Sequence, residues 1–319
     1  MRTPAGFLLL MNNQHTVFEK PPLSIEAQLE RLKSRGIIIQ DEAAARSYLS
    51  FISYYRFCGY AIEFEDRLVI GEKQYRKGTT FEEILDHYVF DRKLRLLVID
   101  AIERIEIAIR TVITNEMAMK YDDAHWYLKR NLFLEKFKHA ALIKTIEKES
   151  HYKTKDGMTK RTRPERFIEH YFKKYKSPEL PAVWMIAEIL SLGSWSMIFD
   201  NLALRQDQKA VSLHFNLDSK VIGSWLHALT YLRNLCAHHC KLWNRNFTLK
   251  PLVANTFRNQ MQNNGKFSAQ ATMLKVFLDV ISPGSTWAEN LRALIKQHPG
   301  IDVTKMGFKE DWENDNFWG

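Results

Sequence analysis

From Thr80 to about Tyr121, apolar side chains recur at helical spacing: Phe81, Ile84, Leu85, Tyr88, Ile99, Ile102, Ile105, Ile109, Val112 and Ile113. This is the longest helical pattern in the chain. Thr80, with Glu83 three residues on, has the form of a capping box that opens it. The pattern predicts one helix to about Tyr121, or a helix broken once on the way. An apolar face of that length must be covered by other helices to be stable, so the segment commits the chain to helix-on-helix packing.

Composition agrees. Only 13 glycines and 9 prolines occur in 319 residues, which disfavours a turn-rich sandwich or barrel. With 45% hydrophobic residues the chain can bury a sizeable core, and its length allows one large domain or two ordinary ones. The expected class is mostly α, with little strand and that confined to the first 80 residues.

Residues 1–22 read as an irregular lead-in closed by Pro21-Pro22. Ser24 then caps a helix to Arg35 that Gly36 ends, and a second helix runs from after Asp41 to about Tyr55. Residues 59–80 carry a short β-like or irregular stretch, with Val69, Ile70 and Tyr75 around Gly71. Residues 150–164, with His151, Lys153, Lys155, Lys160, Arg161 and Arg163, read as an exposed basic loop. Further helices are expected near 164–175, 182–202, 205–214, 219–243, 268–281 and 285–297. The main helical domain is placed at 23–245, with a C-terminal helical extension, 246–319, packed on it.

Several function classes drop out. No internal repeat, Rossmann glycine pattern or Walker loop is present. The most apolar stretch, Val183 to Phe199, is interrupted by Glu188, Ser191, Gly193 and Ser194, so no membrane span is expected. The run Phe7 to Met11 is too short for a signal-peptide core. Three cysteines make no disulfide framework, and the expected compartment is the reducing cytoplasm. The net charge of +9 suggests a polyanionic partner, although a solvated basic surface would show the same excess.

Ser219 to Arg245 is the most informative segment. At about 100° per residue, Ile222, Trp225, Leu229, Leu232, Cys236 and Trp243 share a core face. The opposite stripe carries His227, Tyr231, Asn234, His238, Lys241 and Arg245, with no acidic member. Histidine moves protons near neutral pH, and arginine's planar fork suits phosphate. Such a set can cleave RNA without a metal: the ribose 2′-OH attacks, His transfers a proton and Arg stabilises the phosphorane. Arg233 sits about 140° from His238 on a regular helix and leans coreward. There it would need a carboxylate partner, for which Glu103 and Glu106, beside Arg110 on the long helix, are candidates. Cys236, His239 and Cys240 lack a fourth ligand for zinc, so core packing is the simpler reading and no cofactor is expected. Arg56, with Tyr54 and Tyr55, either stacks on bases or packs the N-terminal helix. Arg92, Lys93 and Arg104 either line an RNA groove or pair with Asp100, Glu103 and Glu106.

The run Arg233 to Arg245, RNLCAHHCKLWNR, closely resembles the signature of the Abi-like family, the AbiD/AbiF abortive-infection proteins of the HEPN ribonuclease superfamily. The superfamily's mark is Arg, a polar residue, then His after a short spacer, matched here by Arg233, Asn234 and His238. That spacing alone is weak. The whole run is strong when taken with Ser53-Tyr54-Tyr55-Arg56, Gly59-Tyr60, Gly78-Thr79-Thr80-Phe81, the blocks 90–95 and 101–106, Pro181-Ala182-Val183-Trp184, and Met306-Gly307-Phe308 with Trp312. The resemblance implies a HEPN-type helical bundle with extra N- and C-terminal helices. It also implies a toxin-like endoribonuclease of phage defence, in some members restrained by a partner noncoding RNA. One motif per chain then implies a homodimer with two motifs facing each other. Arg233, Asn234 and His238 are the implied catalytic residues. Lys241, Arg245, Tyr231, His227, Arg56, Arg92 and Lys93 are the RNA-binding candidates; Glu103, Glu106, Arg110 and His239 are the supporting ones. A catalytically silent, basic helical RNA-binding protein is the competing reading.

Overall fold

The computed structural model describes residues 21–68, 73–150, 152–153, 159–160 and 165–319. The lead-in over 1–20, the segment 69–72 and the side chains of the basic loop 151–164 lie outside the described residues. The chain divides into two compact units at Leu85/Asp86.

The first unit holds α1 (Ile25–Ser34), α2 (Glu42–Ile52) and α3 (Tyr54–Ala61). Ser24 Oγ accepts from the Ala27 amide at 3.2 Å, the cap that the sequence predicts. The second helix stops three residues short of Tyr55. Ser53 adopts φ 72° and its hydroxyl caps the next helix at the Arg56 amide. A positive φ ends a helix whatever the propensity of its neighbours. Isolated bridges join Ile38 to Thr80 and Glu65 to Tyr75.

The long helix, α4 (Phe81–Tyr121), forms without a break. Its capping box is closed in both directions: Thr80 N–H donates to Glu83 Oε2 at 2.9 Å, and Glu83 N–H to Thr80 Oγ1 at 3.1 Å. In the second unit its buried stripe is Phe90, Leu94, Val98, Ile102, Ile105, Ile109, Ile113 and Met117. This stripe belongs to one apolar core that also takes side chains from α5 (His139–Ser150), α6 (Arg166–Lys174), α7 (Val183–Ile189), α8 (Leu192–Asp200), α9 (Arg205–Leu213), α10 (Ser219–Ala237), α11 (Phe267–Ile281) and α12 (Trp287–Lys296). The C-terminal helices therefore share their core with α10. Buried Asp207 on α9 ties down the end of α4, pairing with Lys120 and accepting from the Tyr121 hydroxyl at 2.8 Å.

The fold is mostly α. One strand expectation fails: the two-residue antiparallel ladder Tyr152–Lys153 with Thr159–Lys160 lies inside the basic loop, well beyond residue 80. The helix expected over 182–202 is two helices, because Leu190 takes an extended conformation and Ser191 caps α8. No helix among the described residues is long and apolar enough to cross a membrane.

Candidate active site

α10 presents Ile222, Trp225, Leu226, Leu229, Leu232 and Cys236 to the core, as the periodicity predicts. It does not continue to Trp243. The last helical residue is Ala237, and His238 is the C-cap. His239 then takes φ 56°. The His239 amide donates to the Cys236 carbonyl at 3.0 Å, and the Cys240 amide to the Leu235 carbonyl at 2.8 Å. These two bonds make a Schellman cap with histidine in the left-handed position that glycine usually occupies.

The cap is anchored from α4. Asp91 is wholly buried, and its Oδ1 accepts from the Leu242 amide at 2.9 Å and the Trp243 amide at 2.7 Å. Its other oxygen pairs with Arg95, itself only 5% exposed, whose Nη1 reaches the Cys240 carbonyl at 3.4 Å. A buried ion pair whose carboxylate also accepts from two backbone amides holds one geometry firmly, since removing either partner strands a charge in low dielectric. His87 packs edge-on against the Trp243 ring at 4.5 Å between centroids. Asp91 and Arg95 are the residues that reasoning from the α10 stripe missed. Their block appeared in the family resemblance, but helical periodicity gives no sign of which turn a buried carboxylate will grip.

On this support Arg233, Asn234, Ala237, His238 and His239 form one exposed surface. Arg233 does not lean into the core, and no carboxylate pairs with it among the described residues. Glu103 and Glu106 do not serve it: Glu103 is exposed, and Arg110 beside them on α4 pairs with Glu188 at 2.8 Å. They lie about 18 Å or more along α4 from Asp91, at 1.5 Å per residue. Arg104 pairs with Asp100 at 2.6 Å, the intrahelical alternative considered for it.

The early stop of α10 divides the predicted stripe. His227, Tyr231 and Asn234 remain on the helix, with His238 at its end. Lys241 and Arg245 belong to the turn beyond it. Lys241 Nζ lies 5.4 Å from the Trp243 ring centroid, and Arg245 Nε donates to the Lys241 carbonyl at 3.1 Å. Arg92 is exposed, whereas Lys93 Nζ sits 3.2 Å from Nε2 of buried His298, whose Nδ1 is 2.6 Å from Asp86. Arg56 belongs to the other unit, half-buried on α3 beside Tyr55, which is 90% exposed. Burial pushes the Cys236 thiol up to about 12, so it is a protonated core group. Among the described residues, no group of three His, Cys, Asp or Glu side chains is placed to hold a metal ion.

Chemically, the surface offers a guanidinium, an amide and two imidazoles around one helix end, open to a large ligand. The set can contact a phosphate and transfer a proton. A family model described as Abi-like protein matches residues 47–244, which include this surface and both residues that anchor it. No curated protein and no solved structure matches the chain.

Proposed function

The chain belongs to the Abi-like protein family, and on that premise we propose that it acts in abortive-infection defence as a metal-independent HEPN-type endoribonuclease. The observation that carries this reading is the exposed Arg233–Asn234–His238 surface on a rigidly anchored helix end. Catalytic groups need a fixed geometry more than a buried one when the substrate is a polymer.

In the proposed reaction the ribose 2′-oxygen bonds to phosphorus as the bond from phosphorus to the 5′-oxygen breaks. One imidazole removes the 2′-OH proton and a second protonates the leaving 5′-oxygen, giving a 2′,3′-cyclic phosphate and a 5′-OH. Arg233 and Asn234 donate to the phosphoryl oxygens as charge builds on them. His239 neighbours His238 on the same surface, but the family resemblance implies two motifs facing each other, so the second imidazole is assigned to His238 of a second copy and the working unit to a homodimer. A noncoding RNA partner is the proposed restraint.

The test is cleavage of labelled total RNA in EDTA by the wild type and His238→Ala, with product ends analysed. The expected outcome is cyclic-phosphate ends and a loss of about 10²–10⁴-fold in the variant, with salt-sensitive RNA binding retained. RNA binding without cleavage by either protein would instead support the non-catalytic binder.

A further inference from the structure

A second polar site lies on the same α10 stripe, toward the start of the helix. A cavity of about 420 Å³ opens there between the end of α8, the first half of α10 and the segment 248–250. That volume falls within the ~300–1,000 Å³ usual for small-ligand sites. Asp200, His227, Lys220 and Lys250 line it. Among the described residues, these four make no ion pair or hydrogen bond with one another.

The Asp200 side chain is exposed on the cavity wall. Gly223 faces it, and a Cβ at that position would collide with Asp200 Oδ1. Partial burial raises the Asp200 carboxyl above its ordinary range, and the nearby His227 charge opposes that rise. With no hydrogen bond or ion pair to its oxygens among the described residues, this carboxylate is suited to a ligand that brings donors. The two lysines on the rim suit a ligand that brings phosphates. Guanine is the one base whose Watson–Crick edge carries two adjacent donors, N1–H and N2–H2, which match the two oxygens of a carboxylate.

We propose that this cavity is a guanine-reading subsite for single-stranded RNA. The Asp200 carboxylate accepts from N1–H and N2–H2, while Lys220 and Lys250 hold the flanking phosphates. His227 and His238 are eleven residues apart on one helix face, about 16 Å at 1.5 Å per residue. A strand lying along α10 therefore passes both, and the guanine would fix which bond, a few nucleotides away, reaches the motif. This inference rests on the RNA-cleaving reading of the motif.

The experiment is calorimetric titration of full-length His238→Ala protein in EDTA with the pentaribonucleotides UUGUU and UUAUU, and with GMP. We expect UUGUU to bind at least about tenfold tighter than UUAUU, the low end of what one bidentate base contact discriminates. Asp200→Asn, which replaces one acceptor oxygen by a donor, should erase that preference. Gly223→Ala, which displaces the carboxylate without removing it, should reduce it. Lys220→Ala and Lys250→Ala should weaken both pentamers alike and flatten the salt dependence. Equal binding of the two pentamers, or a preference surviving in Asp200→Asn, overturns the subsite. Tighter binding of GMP than of UUGUU overturns its assignment to RNA. Thermal melts of each variant separate these outcomes from unfolding. Cleavage of total RNA reports independently on the motif, because the pentamer preference is measured without any turnover.

Discussion

The start of α10 and the turn just beyond its end are held by aspartates of very different provenance. At the start, Asp218 accepts from the Lys220 amide, two residues away, at 2.8 Å. In the turn, Asp91 accepts from the Leu242 and Trp243 amides, 151 and 152 residues distant in sequence. The first is a local cap that forms wherever the helix forms. The second exists only once α4 and α10 have packed, and it closes a turn that carries the candidate chemistry. Both ends of this helix are closed by its own residues, whereas the turn just beyond its end is a property of the second unit's packing.

Breaking the distant anchor should have the largest effect on stability. Asp91→Ala leaves Arg95 buried without its counter-ion and two amides without an acceptor, a loss of about 3–5 kcal/mol in chemical denaturation. In native-state hydrogen exchange, the Leu242 and Trp243 amides should lose protection while the Lys220 amide keeps it. If all three amides respond alike, the contrast between the two anchors is wrong. Asp91→Asn keeps an acceptor for the amides and should fall between Asp91→Ala and the wild type.

The local cap is worth less. Asp218→Ala should cost about 1 kcal/mol, the usual value of an N-cap, and leave RNA cleavage close to the wild-type rate. A large fall in activity with that small loss of stability would show that the two anchors are coupled after all.

The smallest expected effect has the opposite sign. His239 holds a left-handed backbone that costs a side-chain-bearing residue about 1 kcal/mol or more. His239→Gly should therefore stabilise the protein by up to about 1 kcal/mol, read as a modest rise in Tm. If the same substitution lowers cleavage, His239 is retained for a contact with RNA and not for the turn.

Much of this was legible from residue order. The unbroken α4 follows from its apolar period and from Thr80 and Glu83, because both determinants act within one or two helical turns. The core face of α10 and the exposed row His227, Asn234 and His238 follow from the same geometry, while Tyr231 between them is half-buried against the core. Other features were not legible. The break at Ser53 turns on a backbone angle that serine rarely adopts, and no glycine marks it. The stop at Ala237 likewise lacks a glycine.

What the sequence determined by itself is the set of short-range facts: which faces are apolar, which caps close, and which polar groups share a helix stripe. These are fixed by side chains a turn or two apart. The tertiary structure alone decided what grips the turn beyond α10, that Arg233 is exposed, that Asp91 and Arg95 support the motif while Glu103 and Glu106 do not, and that Asp200 shares a cavity with His227. The physical reason is that a buried carboxylate must find donors wherever packing brings them, and packing joins residues that no local pattern relates.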